Sequence, residues 1–514
     1  MVIVEFFRFS SINSVRVEAE LRMIESRFPS EVVVVGVHCP KFPHEHDHAA
    51  VEQAVDRLGI SHPVLDDPDL STWQQYGIKG WPTAVLIDPE GLIVGGVSGE
   101  GCGAVLTSSI EQLIAQHEMR GTLSRDPIAG TWATTGATRG FHTLAFPGKV
   151  AVDPSGRRIA IADTGNDRVV VADLQGRVEQ VFPLLTQPQG VAFDGDRIVV
   201  CDSGADRVVA IDRASGHQTV ITDQLVSPWD VAVLADGALV VAEAGRHRLW
   251  KLAPGAEPEI VVTGDGQPSG VAALPGGGIA FVESDASALR MVSPSGDVTT
   301  LVGQGLWDWG ASDGDRDTAA LQHPLGVAAG PTGALHIADA FNGMIRVWEG
   351  SALRTLPAGG LSEPGGLALL ADGRLVVADT NNHRVVLVGP DGADPVPIVL
   401  DESWLGTTPG DPMSTDSGAS LTVPYELDLG AYSLDTSAGP AVRVEVSAEP
   451  ASLLGPGPRS WALDAPSGAV NVTGAAPAEG LLVTSIEVNV CDDQHATVLR
   501  ARTRHDLTVR ACEP

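Results

Sequence analysis

The first 120 residues alternate short apolar runs with segments whose apolar positions have helical spacing. Val2–Phe6 and Val32–Val37 are uninterrupted and β-branched, which is typical of strands buried on both faces. Helical spacing predicts three helices, Val15–Phe28, Ala49–Leu58 and Ala104–Gln116. Two further apolar runs, Ala84–Ile87 and Leu92–Val97, flank the turn sequence DPEG and predict a hairpin. Together these elements predict an α/β domain over residues 1–120.

From about residue 141 the pattern repeats itself. Stretches such as IADTGNDRVV (161–170), VCDSGADRVV (200–209) and VADTNNHRVV (377–386) are versions of one unit, and each follows a start resembling GVA. The acids of six such units are Asp163, Asp202, Glu243, Glu283, Asp339 and Asp379. They are spaced by 39, 41, 40, 56 and 40 residues, so only the fifth unit carries an insertion. A period near 40 with four short strands per unit predicts an all-β six-bladed propeller over residues 141–395.

The repeated acids have a structural explanation that applies to every blade. A carboxylate at the end of a strand can close a turn by accepting backbone hydrogen bonds. A cationic side chain follows each acid by five to seven positions and can pair with it. These cations are Arg168, Arg207, Arg248, Arg290, Arg346 and Arg384. We therefore predict a structural role for the acids, with a channel ligand or metal as the alternative.

The repeat stops after about residue 395. A stretch rich in glycine, serine and threonine, GTTPGDPMSTDSGAS (406–420), reads as a linker or long loop. The segments LTVPYELDLG, AVRVEVSAE, LLVTSIEVNV and HDLTVRA follow, with polar and apolar residues alternating. This period of two predicts a small antiparallel β-sandwich over residues 412–514.

The charge and composition of the chain bear on its class of binding partner and on its location. The net charge of −32 argues against nucleic acid or an anionic membrane as the main partner, because both require a positive surface. No apolar run approaches ~20 residues, and the N-terminal run lacks a basic segment before it, so we expect neither a span nor a signal peptide. Five scattered cysteines are typical of a reducing compartment, and the cytoplasm is the expected location.

Several motifs resemble one family, the NHL-repeat proteins with an N-terminal thioredoxin-like domain. The blade sequence ADTNNHRV (378–385) is similar to an NHL repeat, and the insertion GLWDWGASDGDRDTAALQHPLGV (305–327) resembles this family in particular. In the first domain the similar stretches are GVHCPKFPHEHD (36–47), HPVLDDPDLSTWQQYGIKGWPT (62–83) and VSGEG (97–101). The βαβαββα order of this domain is also that of the thioredoxin fold without its optional first strand.

The resemblance implies a dithiol site that this chain lacks. Members of the family carry Cys-Cys-Ile-Asn-Cys where this chain has Ser10-Ser11-Ile12-Asn13-Ser14. The family would place the attacking thiol at position 11 and the resolving thiol at position 14. A thiol of pKa about 8.5 falls to roughly 3.5–7.5 at a helix N-terminus, whereas a serine hydroxyl there stays protonated and forms no disulfide. Trp81-Pro82-Thr83 matches the loop that carries a cis-proline against the active site in thioredoxin-like proteins.

Other cysteines are candidates to replace the missing thiols at positions 11 and 14. Cys39 and Cys102 follow two strands that, in thioredoxin order, lie at the outer edges of a four-stranded sheet, about 14 Å apart at ~4.8 Å per strand. A disulfide needs Cα atoms within about 7 Å, so a direct bond would require the loops to fold over. A lone reactive thiol at Cys39 is an alternative to an ordinary half-buried cysteine. The resemblance also implies a paired cysteine near the C-terminus, where Cys491 and Cys512 could form a disulfide, although a reducing cytosol opposes it.

Two other groups of residues are candidates for ligand contacts. The motif HEHDH (44–48) offers metal ligands, but it opens a helix, where Asp47 reads better as an N-cap. We therefore expect a solvated helix start rather than a metal site. The irregular propeller positions are better candidates for specificity, and they are Trp307, Asp308, Trp309, Asp313, Trp229 and His323. The insertion that holds five of them is either a lid over one propeller mouth or a strap between domains.

Three hypotheses of function follow. The first is a binding or scaffold protein without dithiol chemistry, whose propeller face, with the empty active-site groove, holds a protein or a small ligand and requires no cofactor. The second is a thiol–disulfide oxidoreductase with its cysteines replaced or with Cys39 acting alone. The third is a hydrolase or lyase working from the propeller channel, although no residue set demands it.

Overall fold

The computed structural model describes residues 1–125, 143–264, 266–393, 395–401, 407–409, 413–416, 420–426, 433–434, 442–449, 460–463, 465, 467–473, 478–491 and 496–510. These residues form two compact units, one of Met1–Asn166 with Gln187–Val399 and the other of Asp167–Thr186 with Leu400–Pro514. The first unit holds the N-terminal α/β domain and most of the propeller.

The N-terminal domain has the thioredoxin-like fold. Its elements in chain order are β1 (Val2–Phe7), α1 (Ile12–Arg27), β2 (Val33–His38), α2 (His48–Leu58), β3 (Val64–Asp66), α3 (Ser71–Tyr76), β4 (Thr83–Ile87), β5 (Ile93–Ser98) and α4 (Cys102–Arg120). The sheet order is β3-β2-β1-β4-β5, with β1, β2 and β3 parallel and β4 antiparallel to β1 and β5. The predicted hairpin is confirmed, since Asp88 accepts backbone hydrogen bonds from Glu90 and Leu92 at 2.9 Å.

Sequence patterns missed β3 and α3. Because β3 is only three residues long and joins the edge beyond β2, the strand before Cys39 is not an outer strand of the sheet. Cys39 and Cys102 nevertheless stay apart, since they lie in different hydrophobic clusters. Cys102 belongs to the cluster formed with α1 and α4, and Cys39 packs with Phe6, Val37 and Val85. Both are free thiols.

The repeats form a six-bladed β-propeller. Four blades have four antiparallel strands in simple chain order, and the fifth has a fifth strand on its outer edge, supplied by the insertion. Their bounds are β10–β13 (Pro188–Asp194, Arg197–Asp202, Arg207–Asp212, Gln218–Thr222), β14–β17 (Pro228–Val233, Leu239–Glu243, Arg248–Leu252, Glu259–Thr263), β18–β21 (Pro268–Ala273, Ile279–Glu283, Ala288–Val292, Val298–Val302), β22–β26 (Gly314–Asp315, Pro324–Ala329, Leu335–Asp339, Met344–Glu349, Ala352–Leu356) and β27–β30 (Pro364–Leu369, Leu375–Asp379, Arg384–Val388, Val396–Pro397). The first repeat supplies β6 (Val150–Val152) paired with β7 (Arg158–Asp163), and β8 (Arg168–Asp173) paired with β9 (Val178–Phe182).

The structural role of the repeated acids is confirmed. Asp339 accepts the backbone N–H of Gln322 at 2.7 Å and pairs with Arg346 at 2.7 Å, and Asp379 does the same with Ser362 and Arg384. In the third repeat the prediction that Arg248 pairs with Glu243 is wrong. Glu243 is instead bonded by Trp250 Nε1 at 2.6 Å and lies 3.4 Å from Arg246.

The second compact unit contains the C-terminal strands. They are β31 (Thr407–Pro409), β32 (Met413–Asp416), β33 (Ser420–Glu426), β34 (Ser433–Leu434), β35 (Val442–Glu449), β36 (Ser460–Leu463), β37 (Ser467–Thr473), β38 (Ala478–Cys491) and β39 (Ala496–Arg510). β38 and β39 form a long antiparallel hairpin, and β33 pairs separately with β37. The reading of 406–420 as linker is wrong in part, because β31 and β32 pair in parallel with β39. The face-to-face sandwich stays a prediction, and the proposed Cys491–Cys512 disulfide lies outside the described residues.

Candidate functional site

The helix tip that the family motif occupies is covered by the propeller. Ser11 is the N-cap of α1, and its hydroxyl accepts the backbone N–H of Ser14 at 3.4 Å. Gln267 of the propeller accepts the next free donor, the N–H of Ile12, at 3.1 Å. As a result Ser11 is 5% exposed and Ser14 1% exposed. The predicted placement at a strand–turn–helix junction is correct, but the expected open groove is absent from this part of the described structure.

A buried cluster of charges closes the same region. Asp285 follows the acid of the fourth blade, and its carboxylate accepts hydrogen bonds from Arg8 at 2.6 Å and from Lys41 at 2.9 Å. Arg8 also donates to the hydroxyl of Ser10 at 2.8 Å and lies over the ring of Trp81 at 5.2 Å. Burial acts to raise the pKa of Asp285, but the two cations outweigh it and hold the pKa at about 2. The carboxylate is therefore ionised and locked between the two domains.

The remaining residues of the predicted site have local partners. The Trp81–Pro82 peptide bond is cis, as the resemblance implies. The hydroxyl of Thr83 donates to the carbonyl of Gly80 at 2.8 Å and lies 2.8 Å from the hydroxyl of Ser98. These residues hold the loop in place, and Arg8 is the side chain that links it to the helix tip.

The remaining thiols are poorly suited to exchange. Burial raises the pKa of the Cys39 thiol, and the neighbouring carboxylates of Asp67 and Asp66 raise it further. Burial, followed by Glu20, raises the pKa of Cys102 to about 12. Since the thiolate is the nucleophile in disulfide exchange, both groups are inactive near neutral pH. Cys201 is buried in its blade.

The stretch HEHDH (44–48) lies at the interface between the N-terminal domain and the propeller. Asp47 is the N-cap of α2, accepting the N–H of Ala49 at 3.1 Å, which confirms the prediction. The expectation of a solvated segment is wrong for its first half. Glu45 is completely buried and accepts backbone hydrogen bonds from Ser10, Lys41 and Phe42, and His44 contacts Glu363 of the propeller at 2.9 Å.

An aromatic cluster at the same interface explains much of the insertion. Phe341 of the fifth blade packs against Phe9 and Phe42 of the first domain, with ring centroids 5.8 and 5.5 Å apart. His323 stacks on Phe341 at 4.1 Å, and Trp309 meets Phe42 at 5.2 Å. We name these five residues the interface cluster. Burial lowers the pKa of His323 to about 3, so the imidazole is neutral within this cluster.

The other irregular positions lie outside this cluster. Trp307 is exposed and lies 5.2 Å from the ammonium of Lys41, while Asp308 accepts the N–H of Gln304 within its own loop. Asp313 binds the guanidinium of Arg346 at 2.8 Å within its own blade. Trp229 is half-buried on β14. Through Trp307 and Trp309 the insertion contacts the first domain, in the manner of a strap.

Sequence reasoning missed Asp285, Phe341, Gln267 and Glu363. Asp285 and Phe341 stand just after the blade acids, in turns where four of the six repeats carry glycine or asparagine one or two residues after the acid. A bulky or charged residue at such a turn departs from the repeat, and that departure was the available signal. Glu363 has a pKa that burial acts to raise but that Arg57 and His44 lower to about 2.

The propeller channel forms a second candidate site, with a cavity of about 300 Å³. Its wall consists of the inner strands of all six blades, at residues 149–152, 191–193, 230–233, 271–273, 326–329 and 366–369. Most of these side chains are valine, alanine or leucine. The cavity therefore presents aliphatic side chains together with polar backbone groups to a ligand.

Lys149 closes the neck of this channel. Four repeats have glycine at the neck position, because a Cβ on Gly270 would lie 2.8 Å from the Cα of Gly326. Lys149 and Asp230 replace the other two. The ammonium of Lys149 donates to the carbonyls of Ser269, Leu325 and Gly365, at 2.8 Å for the first and last. The channel is thus blind at this end.

Comparison with known proteins identifies NHL repeats at residues 225–252 and 361–386. Protein SUPPRESSOR OF QUENCHING 1, chloroplastic, from Arabidopsis thaliana is 28% identical over 461 residues, which cover 75% of this chain and 44% of the relative. NHL repeat-containing protein 2 from Gallus gallus is 28% identical over 479 residues, covering 75% and 66%. Thiol-disulfide oxidoreductase ResA from Halalkalibacterium halodurans is 34% identical over 64 residues, 12% of this chain and 32% of the relative. The chain thus spans less than two thirds of each of these relatives. Among the described residues, no helix is both long and apolar enough to cross a membrane.

Proposed function

Because this chain carries NHL repeats and is related over 75% of its length to NHL repeat-containing proteins, we propose that it is a binding or scaffold protein without dithiol chemistry. In this proposal the N-terminal domain is a fixed part of the propeller. The observation that carries it is the burial of Ser11 and Ser14 beneath Gln267 and Asp285. A site that lacks sulfur and is covered by another domain exchanges electrons with no substrate.

The surface left for a ligand is the channel mouth away from the first domain. The N-terminal domain contacts the propeller at the turns that contain Asp285, Phe341 and Glu363, which precede or face the starts of the inner strands. The cavity extends along these strands to their far ends, where Phe193, Val233 and Leu369 are half-buried. We infer that a small apolar molecule, or an apolar side chain of a protein partner, enters there. Nucleic acid and membrane are not proposed as partners, and we place the protein in the cytoplasm on the scattered cysteines of its sequence.

The test is reduction of a protein disulfide with dithiothreitol as the electron source. We expect no turnover by the unaltered chain or by Cys39→Ser. The double variant Ser11→Cys/Ser14→Cys should form an internal disulfide, counted as the loss of two titratable thiols, yet reduce a protein substrate slowly because the site is covered. The similarity to ResA favours the oxidoreductase as the alternative function. Turnover by the unaltered chain that disappears in Cys39→Ser would establish that alternative and refute the proposal.

Ligand binding needs a separate measurement. A fluorescent apolar dye, anilinonaphthalene sulfonate, should bind the unaltered chain with a stoichiometry near one at the channel, and Phe193→Asp should weaken that binding. The matched control is Val220→Asp, because Val220 is exposed on the outer strand of its blade. Equal dye binding by all three chains would remove the channel from the proposal.

A further inference from the structure

Three ionisable side chains meet inside the N-terminal domain, away from the interface with the propeller. Glu5 lies in the middle of β1, Glu18 on α1, and His62 in the loop before β3. All three are at least nine-tenths buried, with Glu5 at 0% exposure. Their ligand-type atoms all lie within 4.8 Å of one another. Neither the proposed function nor the family resemblance uses this cluster.

No hydrogen bond of normal length satisfies the atoms that face one another in this cluster. Among the described residues, neither carboxylate oxygen of Glu5 has a hydrogen-bond partner, and the same is true of Oε1 of Glu18 and Nε2 of His62. Leaving buried charged oxygens unpaired costs several kcal/mol, so such groups are normally paired or bound to metal. Without a cation, burial and the neighbouring Glu18 raise the pKa of Glu5 well above its usual range.

The spacing fits coordination better than a hydrogen bond. Nε2 of His62 lies 3.7 Å from Oε1 of Glu18, which is too far for a hydrogen bond. Two ligands bound tetrahedrally to one ion at about 2.1 Å each are about 3.4 Å apart. The gap between these atoms therefore requires little adjustment to admit an ion.

The outer side of the histidine is arranged as in many metal sites. Nδ1 of His62 lies 3.4 Å from a carboxylate oxygen of Glu25, which is on α1 and partly exposed. A carboxylate behind a ligating histidine fixes the ring tautomer so that the other nitrogen faces the metal. Burial acts to raise the pKa of Glu18, but His62, Glu5 and Arg22 outweigh it and lower that pKa. Glu25, which is partly exposed, marks the side from which an ion would enter.

We propose that Glu5, Glu18 and His62 bind one divalent transition-metal ion of the zinc class, with Glu25 as a positioning residue. Two carboxylate oxygens and one imidazole nitrogen are a ligand set that zinc accepts, with water as the fourth ligand. Such an ion would tie β1, α1 and the β3 loop together, at the centre of the domain that docks on the propeller.

The experiment uses the full chain after treatment with EDTA and dialysis. We expect one equivalent of Zn²⁺ per chain in competition with a chromophoric chelator, and an absorption spectrum of four- or five-coordinate Co²⁺ when cobalt is added instead. Glu5→Gln should abolish both signals, and Glu25→Gln should lower zinc affinity by about 10–100-fold. Glu90→Gln is the matched control, because Glu90 belongs to a second group of potential ligands, with Asp88 and His117, that is partly exposed. It should bind zinc like the unaltered chain.

Two outcomes would overturn the proposal. The first is equal zinc affinity in the unaltered chain, Glu5→Gln and Glu25→Gln. The second is a cobalt spectrum indistinguishable from that of hydrated cobalt. If Glu5→Gln does not fold, Glu25→Gln still decides the question, since its side chain reaches solvent and the exchange is isosteric.

Discussion

The contact of Asp285 with Arg8 and Lys41 predicts how firmly the two domains are held together. Asp285→Asn removes the charge and keeps the shape, leaving two cations that are 8% and 3% exposed without their counter-charge. The pKa of Asp285 is lowered from 3.8 to about 2, which corresponds to about 2 kcal/mol. Removing one partner of a buried pair typically costs about 3–5 kcal/mol, so we expect docking to weaken by about 3 kcal/mol.

Accessibility of the helix tip measures this weakening directly. In Ser11→Cys the new thiol is covered, so its reaction with an alkylating reagent requires the first domain to lift from the propeller. A loss of about 3 kcal/mol should speed alkylation of Ser11→Cys/Asp285→Asn by about 100-fold. The chain with serine at position 11 corrects for alkylation of the five native cysteines, of which Cys39, Cys102 and Cys201 are buried.

The matched control changes an exposed pair of the same chemistry. Asp372 pairs with Arg374 at 2.7 Å on a propeller loop, where both side chains are largely in water. Asp372→Asn should change stability by less than about 1 kcal/mol and leave the alkylation rate unchanged. If Asp285→Asn also left the rate unchanged, the charge cluster would not hold the domains together and the covered site would need another explanation.

Three further changes test the interface and the channel. Phe341→Ala should destabilise the full chain by about 3–5 kcal/mol in urea unfolding, because it leaves a cavity in the interface cluster. Phe193 is only half-buried, so Phe193→Ala should destabilise the chain less. Equal losses of stability would contradict the packing argument. Burial lowers the pKa of His323 from 6.5 to about 3 in the folded chain, so the unfolded chain binds an extra proton and the free energy of unfolding should fall as pH drops from 6.5 towards 3. His323→Asn should flatten this slope, because asparagine tolerates the left-handed backbone at φ 49°. An unchanged slope would refute the assignment. Lys149→Met leaves three neck carbonyls without their donor and should lower the free energy of unfolding by about 3 kcal/mol. A raised urea midpoint would instead show that burying the ammonium destabilises the chain by more than its three hydrogen bonds stabilise it.

The repeating parts of the molecule were predictable because their causes are local. Asp339 and Asp379 recur since every blade needs the same turn closed and the same arginine neutralised, and a period of about 40 residues reports that need. The helix tip at Ser11 was likewise predictable, because a buried strand, a tight turn and an N-cap are adjacent in sequence. Short elements such as β3 were not, since three residues carry no measurable periodicity.

The docking of the first domain could not be read from the sequence in the same way. It depends on pairs such as Arg8 with Asp285, which are 277 positions apart and which no local pattern connects. Only one side of each pair is visible as an irregularity, as with Phe341 in a turn that elsewhere holds small polar residues. The partner becomes identifiable once the two surfaces are placed together.

Burial of the helix tip and loss of its cysteines are physically connected. An open N-terminus stabilises a thiolate because its backbone N–H groups are free to donate. Here the N–H of Ile12 is used by Gln267 of the propeller, so one donor that would lower the pKa of a thiol at this tip is already satisfied by a neutral oxygen, while the N–H of Ser14 bonds to the hydroxyl at position 11 itself. The Gln267 bond strengthens docking while removing a source of activation. The same contact that helps to fix the N-terminal domain on the propeller therefore works against redox chemistry at its tip, which is why we propose the channel as the surface for a ligand.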